Sequence, residues 1–166
     1  QNVKFYLILH LHTHFIYTMI RFVGEYKAKL DDRGRLIFPS AFKSLVSEEP
    51  DKRFVVKKSL FSNCLEMYSF AEWEQRSEEV RGRLNFFNPD HARFWREFMR
   101  NTAEVEPDAK LGRILIPADL LSGIGVEKDV VFFGSNHMIE IWSKEAFDAS
   151  RMPDDEYVNL AQTILG

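Results

Sequence analysis

The chain has 166 residues, room for one medium domain or two small ones. Its single cysteine, Cys64, excludes an internal disulfide framework and suits a reducing cytosol. Net charge is only -3, yet residues 1–100 hold 17 Lys/Arg against 13 Asp/Glu, while residues 101–166 hold 5 against 12; the basic half can face nucleic acid, and the acidic half is a poor match for phosphate.

Residues 1–18, QNVKFYLILHLHTHFIYT, come first. Their apolar run is too short to span a bilayer, and no small-residue cleavage site follows it. On a strand, the alternating His10, His12 and His14 would put three imidazoles on one face. The plainer reading is a disordered or non-native extension ahead of a natural start at Met19, with no metal site. Residues 25–31 then alternate as a half-buried strand, with Tyr26, Ala28 and Leu30 on one face and Lys27 and Lys29 on the other. Asp32-Arg33-Gly34 supplies turn chemistry. Residues 36–38 form a short strand stopped by Pro39, and a short helix follows over 40–46. Residues 54–69 read as a hairpin turning near Ser62-Asn63. Residues 70–84 read as a helix with Trp73, Val80 and Leu84 close to one face. Asn88 is the N-cap expected for the next helix, which carries an apolar stripe of His91, Phe94, Trp95, Phe98 and Met99. Arg93, Arg96 and Arg100 lie on its opposite side as a solvated face.

Beyond residue 101 the same order returns. A strand over 102–106 leads into a loop, then residues 114–116, Pro117 and a short helix to Leu121. Residues 129–142 form a hairpin turning near Ser135-Asn136. A last amphipathic helix starts at Asp154, with Tyr157, Leu160, Ala161, Ile164 and Leu165 as its apolar positions.

The return is a sequence repeat. DDRGRLIFP at 31–39 matches DAKLGRILIP at 108–117, and Arg35 lies 78 residues before Arg113. CLEMYSFAEW at 64–73 matches MIEIWSKEAF at 138–147, with Glu66 on Glu140, Tyr68 on Trp142 and Ser69 on Ser143. The interval between the two blocks is shorter in the second copy, 27 residues against 31, so a loop has changed length. Two blocks repeated in order declare one module made twice. In the second copy the acid stands one residue early, at Asp108, with Ala109 in its formal place. Pairing Asp108 with Asp31 brings Val105 onto Ala28 and Ala103 onto Tyr26, so the buried faces agree and the second loop gains one residue.

Each repeated phrase has a chemical logic. Gly34 and Gly112 permit a tight turn and close approach to a partner. Arg35 and Arg113 can reach phosphate, or guanine bidentately in a major groove. The nearby aspartates are repelled by phosphate, so they orient the arginine or tie the turn; the competing reading is an ion pair that only stiffens the fold. The two copies are electrically unequal, because Lys27 and Lys29 of the first strand correspond to Glu104 and Glu106 of the second. The first loop is therefore the expected principal DNA surface, with the second more structural or assisting through Arg113 and Lys110. No phosphate-binding glycine loop, cysteine-pair metal site or G-x-S-x-G motif is present, and Cys64 matches Met138, a packing position, so no enzyme activity is expected.

A doubled D-x-[KR]-G-R with apolar-x-apolar-Pro and two intervening helices resembles the MraZ family of bacterial transcriptional regulators, within the wider SpoVT-AbrB swapped-hairpin class. The resemblance runs from residue 19 to about 150. It implies an α+β, β-rich fold of two tandem swapped-hairpin modules forming an intrachain pseudo-dimer barrel with connecting helices. The expected divisions are 24–70 for the first module, 71–100 for the connecting helices, 101–146 for the second module and 147–166 for a helical tail. It also implies a cytoplasmic, nucleoid-associated protein that binds short direct repeats of double-stranded DNA upstream of the division and cell-wall operon. The expected assembly is a ring-shaped homo-oligomer. The expected DNA contacts are Arg33, Arg35, Lys27, Lys29, Arg113 and Lys110; Asp31, Gly34, Pro39, Asp108, Gly112 and Pro117 shape the loops. No cofactor, metal, membrane or small-molecule substrate is expected. The aromatic stripe and the last helix are candidates for packing between modules or subunits. The rival reading is an antitoxin-like protein-interaction module of the same fold without direct promoter control.

Overall fold

The computed structural model describes residues 20–166. The 1–18 extension, its histidines and the start assigned to Met19 lie outside the described residues. Alternation sets in slightly earlier than the spacing implies. Strand β1 runs Phe22–Lys29, with Phe22 buried and Lys27 and Lys29 outward. The first copy continues through β2 (Arg35–Ile37), α1 (Ser40–Leu45), β3 (Phe54–Lys58) and β4 (Leu65–Ser69). Two helices follow, α2 (Phe70–Gly82) and α3 (Pro89–Met99). The second copy holds β5 (Thr102–Val105), β6 (Arg113–Leu115), α4 (Ala118–Ser122), β7 (Asp129–Asn136) and β8 (Met138–Ser143). Helices α5 (Lys144–Ala149) and α6 (Asp154–Leu165) end the chain.

The copies exchange strands. A six-stranded antiparallel sheet has the order β1-β7-β8-β4-β3-β5, so the first strand of each copy pairs with the hairpin of the other. A second, two-stranded ribbon pairs β2 with β6. Both layers are centred on one pseudo-twofold axis. In the sheet Glu66 faces Glu140, and in the ribbon Leu36 faces Ile114, each residue opposite its own repeat counterpart. The symmetry reaches side chains. The Tyr68 hydroxyl donates to Glu66 at 2.9 Å, and the matching Trp142 Nε1 donates to Glu140 at 2.8 Å.

The core lies between the layers. Phe54, Val56, Leu65, Met67, Phe132, Ile139 and Ile141 come from the sheet, and Leu36, Phe38, Ile114 and Ile116 from the ribbon and its continuation. Phe38 sits edge-on to both Phe54 and Phe132, at 5.2 and 5.9 Å between ring centres. Pro39 and Pro117 end the ribbon strands, and their carbonyls accept the first-turn amides of α1 and α4. The sheet's outer face is covered unequally. Helices α2 and α3 place Trp73 and Phe98 over Val55 and Tyr68. On the other half, Phe147 of α5 packs against Phe133 and Trp142. Helix α5 was not expected from periodicity, because Pro153 follows it too soon for a recurring pattern. Its cap was nonetheless in the repeat: Ser143 accepts from the Ala146 amide as Ser69 accepts from that of Glu72.

One close approach makes a sharp test. Gly134 pairs with Gly24, and a Cβ at Gly134 would stand 2.6 Å from the Phe22 carbonyl carbon. Backbone cannot rotate aside as a side chain can. Gly134→Ala is expected to cost about 1–3 kcal/mol in urea unfolding, as overpacking does. Gly82→Ala, with open space around it, is the control expected to cost nothing.

Candidate nucleic-acid interface

The first loop is wound around one carboxylate. Asp31 Oδ1 accepts the backbone amides of Arg33 and Arg35, both at 2.9 Å. Its Oδ2 accepts Arg35 Nε at 2.9 Å and lies 2.7 Å from Arg35 Nη2. Gly34, at φ +72°, donates to the Asp31 carbonyl, completing the turn. The second loop repeats this construction with one more residue. Asp108 Oδ1 accepts the amides of Lys110 and Leu111, and Oδ2 accepts the Arg113 amide and Arg113 Nε, the latter at 3.0 Å. Gly112, at φ +63°, donates to the Asp108 carbonyl. Asp108, not Ala109, thus makes the bonds that Asp31 makes.

These bonds favour the charged carboxylates. The Arg35 side chain first, then its amide, lowers the Asp31 pKa to about 2. The Leu111 amide first, then the Arg113 side chain, pushes Asp108 lower still. A depressed carboxylate stabilises the fold above its unfolded value, near about 4, and that contribution is lost as pH falls through the folded value. Both loops are therefore expected to hold unchanged down to about pH 4; the first loses its support between about 4 and 2, and the second only at lower pH. The amide shifts of Gly34 and Arg35 followed by NMR would report this, and Asp31→Asn should remove the Gly34 transition.

The ribbon brings the two arginines together. Arg35 pairs with Leu115 and Ile37 with Arg113, while Leu36 and Ile114 point into the core. One outward face therefore carries two guanidinium groups and two exposed aliphatic side chains, Ile37 at 64% and Leu115 at 61% accessible. Each arginine spends Nε on its own aspartate. Nη1 of Arg35 and both Nη groups of Arg113 have no hydrogen-bond acceptor among the described residues. A depression of about 530 Å³ beside them is lined by Arg35, Arg113, Lys110 and Leu115, with Glu106 and Asp108 on its acidic side.

The remaining expected residues fall in two places. Arg33 is exposed at the tip of the first loop. Lys27 and Lys29 project from β1 into a neighbouring cleft of about 770 Å³, shared with Lys110, Lys43 and Lys144. Lys29 is partly committed, 3.3 Å from Asp129. Their counterpart Glu104 is held by Arg53 at 2.8 Å. Three residues of the surface were not singled out from sequence. Ile37 and Leu115 are the middle residues of apolar triplets, and strict alternation from Leu36 and Ile114 would have turned them outward. Lys43 places Nζ 3.4 Å from the Asp108 carbonyl, tying α1 to the second loop; no local pattern marks it. Cys64 is buried, and burial pushes its thiol up to about 12, which leaves it a packing residue. Among the described residues no three His, Cys, Asp or Glu side chains cluster as metal ligands, and no helix is long and apolar enough to cross a membrane.

Strand exchange about an internal twofold, with a Gly-Arg loop at each end of a shared ribbon, defines an intrachain dimer of the swapped-hairpin class. Comparison with known proteins makes the assignment particular. The family described as "MraZ protein, putative antitoxin-like" matches twice, over residues 21–97 and 98–155. Proteins named Transcriptional regulator MraZ are similar along most of the chain. That of Christiangramia forsetii is 36% identical over 149 residues, spanning 89% of this chain and 95% of its own. That of Desulfitobacterium hafniense is 37% identical over 145 residues, spanning 87% and 96%. That of Bacteroides thetaiotaomicron is 34% identical over 139 residues, spanning 84% and 88%. The chain belongs to the MraZ family.

Proposed function

We propose that this protein is a DNA-binding transcriptional regulator, cytoplasmic and nucleoid-associated, and not an enzyme. It reads short direct repeats in the promoter of the division and cell-wall operon, and it does so as a ring-shaped homo-oligomer. The observation that carries the reading is the outward ribbon face, where each aspartate fixes the Nε of its arginine while Nη1 of Arg35 and both Nη groups of Arg113 have no acceptor among the described residues. An ion pair that only stiffened the fold would use the guanidinium up. Here it aims a planar donor edge at solvent, the geometry that suits guanine O6 and N7 or a phosphate. Arg33 and Lys110 flank that face and suit phosphate contacts, with Lys27 and Lys29 extending the positive surface of the first copy.

One ribbon neutralises few phosphates, so a single chain binds weakly. Several chains on repeated sites gain on the order of 100- to 10,000-fold through effective concentration. The test is fluorescence anisotropy of a labelled duplex carrying the direct repeats, with a scrambled duplex beside it, across a salt series. Tight binding that falls steeply and linearly with log salt is expected, with preference for the repeats. Equal, weak binding of both duplexes would end the proposal. The exposed amphipathic α6 favours a second reading, a protein-interaction module without promoter control. A folded oligomer that ignores both duplexes would select it.

A further inference from the structure

The outward face of the ribbon carries more than its arginines. In an antiparallel pair, residues opposite one another share a face, and so do residues two apart along a strand. Arg35 stands opposite Leu115 and Arg113 opposite Ile37, and on each strand one arginine and one aliphatic residue are two apart. Each guanidinium therefore has two exposed aliphatic neighbours, one across the ribbon and one along it. Ile37 also borders the cleft that holds Lys27, Lys29 and Lys110, and Leu115 borders the depression beside Arg35 and Arg113. Leu36 and Ile114 already hold the ribbon on the core, so folding does not call for large aliphatic groups at 37 and 115; a polar strand former such as threonine would serve there. An apolar pair set among cations needs a partner that is electron-rich at its edges and apolar between them. Duplex DNA is such a partner. Its phosphates and guanine edges accept from arginine, and the apolar group it offers in the major groove is the thymine C5-methyl.

We propose that Ile37 and Leu115 read thymine methyl groups beside the guanines taken by Arg35 and Arg113, so that the recognised repeat holds a thymine close to its guanine. The major groove admits a two-stranded ribbon. A strand rises about 3.4 Å per residue, about one base step of a duplex strand, so groups two residues apart reach bases about two steps apart. The thymine therefore lies within about two base steps of the guanine, on either strand. The minor groove is not the surface engaged, because it shows neither the thymine methyl nor guanine O6 and N7. This rests on the regulator reading above and adds its apolar half. The arginines supply hydrogen bonds, and the aliphatic pair rejects cytosine, which presents an amino group and no methyl.

The test removes the methyl and nothing else. Fluorescence anisotropy of the full chain compares the two-repeat duplex with the same duplex carrying uracil for every thymine of the repeats. Loss of one buried methyl is worth about fourfold in affinity, and about 15-fold when it goes from both repeats. Single replacements should place the effect within about two base steps of a guanine. Ile37→Ala alone should lose part of the preference for thymine. Ile37→Ala and Leu115→Ala in one chain should weaken binding to the thymine duplex and bind the two duplexes equally. Their circular dichroism spectrum should be unchanged, because both side chains lie outside the core. A uracil duplex that binds as tightly as the thymine duplex, or repeats with no thymine near a guanine, would overturn the contact. So would a double variant that still prefers thymine, since the methyl would then act through duplex shape or another residue. In each of these cases a wild type that prefers the repeats to the scrambled duplex keeps the regulator reading. A wild type that prefers neither ends that reading and the thymine contact with it.

Discussion

Arg35→Ala is expected to lower affinity for a two-repeat duplex by about 30- to 20,000-fold. A bidentate arginine–guanine pair is worth about 1–3 kcal/mol. If two chains of one assembly sit on two repeats the loss doubles to about 2–6 kcal/mol, and each 1.4 kcal/mol is about tenfold. Arg113→Ala should lose clearly less. Arg113 belongs to the copy whose first strand and loop carry Glu104 and Glu106, whereas Arg35 follows Arg33 on the copy whose strand presents Lys27 and Lys29. Arg35→Lys should fall between, because the charge stays but the Nε clamp and the planar edge are lost. The loop itself should survive Arg35→Ala, since Asp31 keeps the Arg33 amide and the residue-35 amide. Thermal unfolding within a few degrees of wild type would confirm that the loss lies at the interface. Equal losses for Arg35→Ala and Arg113→Ala at matched salt would remove the asymmetry and make the ribbon a symmetric reader.

What was legible in the chain, and what was not, follows from the range of each interaction. The repeat exposed the doubled module, and alternation placed Tyr26, Ala28 and Leu30 inward. The offset of Asp108 could be repaired from the buried faces alone, and the hydrogen bonds of the two loops agree with that repair. Strand exchange was reached through the family resemblance, because no local pattern says that β1 pairs with β7 rather than with its own hairpin. Lys57 shows the same limit. A lysine in a strand reads as a solvent position, yet here α3 covers it. Its ammonium lies 4.7 Å from the Phe98 ring centre and 3.9 Å from Glu66. Burial lowers its pKa while Glu66 opposes the shift. The α3 stripe was read as one apolar face, but only Phe98 is fully buried and Phe94 and Met99 remain accessible. Helix α6 forms from Asp154 as read, and its apolar positions Tyr157, Leu160, Ile164 and Leu165 are exposed.

Leu36→Ala and Ile114→Ala are each expected to cost about 2–5 kcal/mol, the range for emptying a buried aliphatic site. Both side chains are fully buried and they face each other on the pseudo-twofold axis. They are the inward pins of a ribbon only three residues long per strand, which has no second sheet neighbour among the described residues to hold it. A domain of this size holds about 5–15 kcal/mol in total, so the double variant should be largely unfolded at 25 °C. The single costs should not simply add, because the residues share one cavity. Ile37→Ala, on the same strand but 64% exposed, is the control and should stay within about 0.5 kcal/mol. Urea midpoints at constant slope would give all four values. If Leu36→Ala were as mild as Ile37→Ala, the ribbon would not be anchored through the axis. Arg35 and Arg113 would then be carried on a loose flap, and the pre-aimed guanidinium edges on which the DNA reading rests would have no rigid support.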